Sequence, residues 1–210
     1  MNMKKKNSGF TLVEIAIVLV IIGLLLGGVL KGQEMISNAR IKKLESDFRG
    51  VSAAFYTYQD RFNKIPGDDT NAASRFSGTW DAGNDNGDGN GLIYYQWNSS
   101  TNSHESRKVW KHLRGAGLIA GPVTNDNESY QQPTHAYGGR LGIVGYHTPY
   151  YTTMGRNRIW VCFGNIDGDV ATVLESRGDD DNAGTGSIIS QNASGAYNID
   201  SNYNPLCMKM

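Results

Sequence analysis

The chain reads as an α+β protein: one long N-terminal α-helix, packed by its second half against a small, mainly antiparallel sheet domain with extended loops. Three observations predict this. Residues 10–30 form an apolar run whose only charge is Glu14. Past Lys31 the composition turns polar, yet apolar residues recur at alternating three- and four-residue steps, with no proline before Pro66. Residues 64–210 are polar and glycine-rich, with short strand-like stretches between turn signals. Strands that follow a helix, rather than alternating with helices, fit a single sheet covering one helical stripe.

The apolar run, Phe10 to Leu30, is 21 residues long. A helix rising ~1.5 Å per residue needs roughly 20 residues to cross a bilayer core, so the run suffices as a transmembrane segment. Lys4, Lys5 and Lys6 precede it and hold that end on the cytoplasmic side, leaving the remainder outside. A carboxylate at the centre of such a helix costs about 2.5–3.5 kcal/mol, but Glu14 sits near the end, within reach of the headgroups. Gly23/Gly27 and Gly28/Gly32 are two G-x-x-x-G spacings, which allow helices to approach closely in lipid. Each glycine also weakens the helix by about 1 kcal/mol relative to alanine.

The order of the N-terminal parts is inverted relative to a secretory signal peptide, where the cleavage site follows the apolar stretch. Here Gly9-Phe10-Thr11-Leu12-Val13-Glu14 stands behind the three lysines and before the apolar run. This block resembles the prepilin-type cleavage and methylation site of type IV pilins and type II secretion pseudopilins. The resemblance implies a class III leader at residues 1–9, cut by prepilin peptidase between Gly9 and Phe10, with methylation of the new amine. It implies a single-pass inner-membrane precursor whose C-terminal domain is periplasmic. An inner-membrane platform would then build a helical filament from copies of the chain and related minor pilins, as a surface pilus or a periplasmic pseudopilus. Glu14 lies about one helical turn from the new amine. The resemblance makes it the partner of a neighbouring subunit's ammonium; the plainer reading is an interfacial residue. Many pilins carry a proline near the end of this span and this chain has none. Gly23, Gly27 and Gly28 either loosen the helix in its place or serve close packing.

The helix is expected to continue through residues 31–63. Ile41, Leu44, Phe48, Val51, Phe55, Tyr58 and Phe62 make an amphipathic stripe. A free coiled coil is the alternative, but about 150 residues follow that need a surface to pack on. Lys64-Ile65-Pro66-Gly67-Asp68 ends the helix through its breakers.

Within the globular domain, residues 64–210, helices are expected at Glu105–Gly115 and Asp169–Ser176. Strands are expected at Gly91–Trp97, Arg140–Tyr146 and Arg158–Phe163. Ile65–Asp69 and Trp110–Leu118, with Ile119 after it, bear a weaker resemblance to a longer pilin-like family. Cys162 and Cys207 fall in the exported part, where a disulfide is permitted. Their pairing would close a loop worth nominally ~4 kcal/mol and tether a tail, Ala196–Pro205, of little secondary-structure signal. The alternative is two separate thiols; the resemblance favours the bridge, since many pilins close their C-terminal region this way.

Two acidic loops attract attention. Asp81, Asp85, Asp88 and Asn90 lie in a glycine-rich stretch that concentrates hard oxygen donors, and Asp179, Asp180 and Asp181 form a second cluster. Calcium takes six to eight such oxygens, so both are candidate calcium sites. No complete EF-hand is present. Solvated turns are the alternative, because Asp, Asn and Gly are also generic turn formers.

No catalytic constellation is evident. His104, His112, His135 and His147 lack the spacing of a zinc motif, and there is no nucleophile elbow, P-loop or dinucleotide fingerprint. The chain has 20 Lys+Arg and 20 Asp+Glu; loss of the three leader lysines leaves the acids in excess, against a phosphate-binding surface. Arg107, Lys108, Lys111 and Arg114 read as a solvated helix face rather than a DNA contact. Tyr130, Tyr137, Tyr146, Tyr150 and Tyr151 read as core or subunit packing in preference to a sugar-binding patch. The expected function is therefore a structural filament subunit, with a type IV pilin ahead of a secretion pseudopilin. The competitor from another class is a membrane-anchored adhesive protein that never polymerises.

Overall fold

The structure, a computed structural model, describes residues 10–76, 79–124, 126–145, 158–190 and 195–210. It resolves into two compact units, one ending at Arg40 and one covering Ile41–Met210. A single helix, α1 (Leu12–Phe62), runs through the boundary.

In the first unit every residue from Phe10 to Leu30 is exposed, as a helix that is apolar all round must be when nothing covers it. This is the one described helix long and apolar enough to cross a membrane.

In the second unit the predicted stripe is the core face of α1. Ile41, Leu44, Val51, Phe55 and Tyr58 are buried, Phe48 and Phe62 pack at its margin, and Ala54 joins them. The helix ends at Phe62, just ahead of the breakers at residues 64–68, as expected. Asn63 takes a left-handed φ of 52°, and its amide still donates to Gln59 O at 2.7 Å. Asparagine tolerates that conformation, which makes it a natural residue just past a helix end.

Two very short helices, α2 (Ala72–Arg75) and α3 (Ala82–Asp85), lead to α4 (Glu105–Gly115), which has the expected bounds. Val109, Trp110 and Leu113 of α4 enter the main core. A 3-10 turn, Asn127–Tyr130, follows. The sheet contains β1 (Leu141–Val144), β2 (Trp160–Phe163), β4 (Ile188–Ser190) and β6 (Leu206–Lys209), all antiparallel in the order β1-β2-β6-β4. A separate ribbon pairs β3 (Ile166–Asp167) with β5 (Asn202–Tyr203), and α5 (Gly168–Gly178) follows β3.

The sheet is buried on both faces. Leu141, Ile143, Val161, Phe163 and Leu206 belong to the main core with α1, α4 and α5, whereas Val144, Trp160, Cys162, Ile189 and Cys207 gather with Trp97. Trp97 ends the stretch Gly91–Trp97, which is irregular rather than the expected strand. Gly91 and Tyr95 take φ of 83° and 76°, incompatible with a pleated strand. The stretch instead fixes Ile93 in the core, with Ile93 O accepting from Gly145 N at 3.2 Å.

Candidate functional sites

At the N-terminal end of α1, Thr11 and Glu14 form a capping box. The Glu14 carboxylate accepts from the Thr11 amide at 2.8 Å and the Thr11 hydroxyl at 2.7 Å, while the Glu14 amide donates to Thr11 Oγ1 at 3.3 Å. The sequence signal is Thr-x-x-Glu, which the reading of Glu14 as a lone charge passed over. Gly9 and the lysines before it lie outside the described residues, so of the expected cleavage site only the Phe10 side is described. A side-chain carbon added at Gly23, Gly27, Gly28 or Gly32 would meet nothing within 4 Å. The single chain therefore gives no reason for their small size.

The predicted solvated face of α4 is a buried one. Arg107, Lys108 and Lys111 are all buried, Lys111 completely. Lys111 Nζ pairs with Asp85 Oδ2 at 2.9 Å with neither side chain exposed, and Tyr130 donates its hydroxyl to the other Asp85 oxygen. The rings of Trp80 and Tyr130 each flank the ammonium at 4.8 Å. Lys108 Nζ donates to Asn86 O at 2.6 Å, and Arg114 reaches Ser129 O and Gln131 O at 2.6 and 2.7 Å. The cations of this helix thus hold the acidic loop and the 3-10 turn against it; they are not offered to a polyanion. Tyr130 is part of this network and Tyr137 packs at the core margin. Tyr146, Tyr150, Tyr151 and His147 lie outside the described residues.

His112, fully buried, is the hinge of the same network. Its Nδ1 accepts from the Gly67 amide at 2.9 Å, which makes Nε2 the protonated nitrogen, donating to Asp85 O at 2.7 Å. Burial pushes the imidazole down from 6.5 to about 4. The contact needs Gly67: φ is +92°, and a side-chain carbon there would stand 2.7 Å from both Glu105 O and Val109 Cγ2. The two stretches of weaker resemblance, one after α1 and one on α4, are therefore packed against each other. His135 is buried as well, with Nε2 on Gly164 O at 2.8 Å.

The four residues expected around one ion in the first acidic loop are not brought together. Asp85 is turned inward to Lys111. Asp81 caps α3, accepting from Gly83 N at 2.9 Å. Asp88 and Asn90 bond to each other through a side-chain contact of 2.7 Å. Asp88 instead lies near Asp68 and Glu105, with one carboxylate oxygen from each within 4.8 Å of the others. Both of those buried acids are already occupied. Asp68 accepts amides of Gly89, Asn90 and Gly91 at 2.6, 3.1 and 2.8 Å, and Glu105 accepts Asp88 N and Tyr94 N at 3.3 and 2.9 Å. Burial holds both carboxyls above their ordinary range. The neighbouring Asp69 takes the hydroxyl of Tyr58 at 2.8 Å and the guanidinium of Arg75 at 3.1 Å. Sequence reading missed Asp68, Asp69 and Glu105 because each acts on partners remote in the chain.

In the second acidic loop the grouped acids are Glu175, Asp179 and Asp180, again with one oxygen each inside 4.8 Å. Asp181 is not among them; its φ of 59° turns the chain there. Glu175 is only 1% exposed. Burial, then the negative charges of Asp179, Asp180 and Asp181, push its carboxyl up to about 7.

Cys162 and Cys207 stand directly opposite each other on β2 and β6 and are joined by a disulfide.

A long apolar N-terminal helix followed by a small antiparallel sheet domain defines the class: a pilin-like α+β protein with a helix fit to anchor a precursor in a membrane. Residues 4–30 match the family described as the prokaryotic N-terminal methylation motif, the hallmark of type IV pilins and pseudopilins. No curated protein and no solved structure matches the chain.

Proposed function

We propose that the chain is a structural subunit of a helical filament of the type IV pilus kind, serving adhesion, motility or uptake. Prepilin peptidase removes residues 1–9 and methylates Phe10, and the inner-membrane platform extracts the anchored subunit into the growing fibre. The observation that carries this reading is the match of residues 4–30 to the methylation motif, followed by a helix bare of cover from Phe10 to Leu30. Such a surface is stable in lipid or against copies of itself, and a subunit exchanges one for the other on assembly. The cross-strand disulfide agrees with an exported domain.

Mass analysis of the exported chain, combined with shearing of surface fibres, tests the proposal. The expected result is a chain beginning at methylated Phe10 and recovered in sheared fibres. A processed chain that stays in the membrane and never enters a fibre supports the non-polymerising adhesive protein instead. A fibre confined to the periplasm and dependent on a secretion system identifies a pseudopilin.

A further inference from the structure

Among the described residues five buried polar side-chain atoms lack a hydrogen-bond partner: Trp80 Nε1, Trp110 Nε1, Gln132 Oε1, Glu175 Oε2 and Tyr197 OH. Of these, Glu175 Oε2 alone belongs to a carboxylate, the group for which burial without a partner is most costly. Its sister oxygen accepts the Asn182 amide at 3.2 Å, so the side chain is held in place while Oε2 is left bare. The same side chain is one of the three acids grouped within 4.8 Å. An ion ligated at about 2.3–2.6 Å keeps its ligands within about 5 Å of one another, and all three pairs meet that limit.

The surroundings hold these acids in place. Asp179 caps α5, and its amide donates to Glu175 O at 2.8 Å. Its Oδ2 accepts the amides of both Ser187 and Ile188, at 2.5 and 2.6 Å. Asp180 accepts the Thr185 hydroxyl at 2.7 Å and the Asn182 amide at 3.1 Å. Gly186, at φ +81°, passes so close to the Asp179 carboxylate that any side-chain carbon would collide with it. Tyr197 OH is another bare buried oxygen, and burial, then the charge of Glu175, push its phenol up.

We infer that Glu175, Asp179 and Asp180 hold one calcium ion between the end of α5 and the start of β4, with Glu175 Oε2 as its buried ligand. The donors are all oxygen, which selects a hard cation over zinc or copper. Magnesium requires near-ideal octahedral geometry at about 2.0–2.1 Å, which three acids fixed by loop amides do not supply. A proton shared among the acids is the competing neutraliser; it offsets one charge, whereas calcium offsets two.

The test uses the full-length chain in detergent micelles and is independent of whether it polymerises. Thermal unfolding is followed in chelator, in calcium and in magnesium, for the wild type, Glu175→Gln and Asp88→Asn. Saturating calcium is expected to raise the wild-type midpoint by about 5 °C or more. Glu175→Gln should lose that rise, Asp88→Asn should keep it, and magnesium should give less. Terbium bound in place of calcium is read directly by luminescence sensitised through aromatic side chains, and Asp180→Asn should weaken it by about tenfold even if Glu175→Gln does not fold. Absence of both a calcium-dependent rise and calcium-displaceable terbium overturns the inference. So does a rise that persists in Glu175→Gln, because the ion then lies elsewhere.

Discussion

Glu14 is drawn to two partners at once. In the single chain its carboxylate closes the capping box with Thr11, satisfying donors at the start of α1. In the proposed fibre the same carboxylate would meet a neighbour's ammonium. Glutamine also serves as the reach-back residue of a capping box, so Glu14→Gln separates the roles where alanine removes both. We expect Glu14→Gln to be processed normally while fibre yield falls by about tenfold or more, since an ammonium buried without its carboxylate costs about 3–5 kcal/mol. Normal yield of sheared fibres from this variant would count against the pairing. His112 gives a second test at this scale. Its folded pKa lies below the unfolded value, so the unfolded chain binds the extra proton between about 4 and 6.5. Stability from this site is complete above about 6.5 and is lost as the pH falls toward 4. Urea unfolding of wild type and His112→Gln should show their difference narrowing by about 3 kcal/mol over that window. A difference constant with pH would mean that the imidazole titrates normally.

Elements were legible where they carry their own period. The stripe from Ile41 to Phe62 and the apolar side of α4 are helical patterns, and packing simply met them. The other side of α4 was misread because charge normally faces water, whereas Lys111 finds Asp85 far back in the chain and loses solvent altogether. Among the strands, β1 and β2 fall within their expected stretches, but β4, β5 and β6 are two to four residues long and exist through their neighbours. No local alternation announces them. The acidic loops were legible as turns and as oxygen-rich, but not as to which oxygens meet: Glu175 lies on a helix and Asp68 follows α1. Removing the bridge between β2 and β6 tests how much these short strands depend on it. The Cys162→Ala/Cys207→Ala double variant should lose about 2–5 kcal/mol in urea unfolding of the full chain. A loss below about 1 kcal/mol would show that the sheet stands without it.

At the scale of the whole molecule, the two units are made stable by different surroundings. The Ile41–Met210 unit has its own core on both faces of a sheet, and its fully buried charges Lys111 and Asp85 are paired with each other. The unit ending at Arg40 offers a helix with no cover of its own along its apolar stretch. Alkaline extraction should therefore leave the unassembled chain in the membrane pellet, and a variant lacking residues 1–30 should move to the supernatant. Release of the intact precursor by alkali would contradict the membrane reading.

β6, the final element in chain order, lies between β2 and β4 rather than at an edge. During synthesis the sheet therefore keeps an empty slot between β2 and β4 until Leu206–Lys209 arrive. Oxidation of Cys162 must wait for the same arrival, since its partner travels on that strand. A chain interrupted between Cys162 and Cys207 therefore carries a lone thiol and leaves β2 without its β6 neighbour.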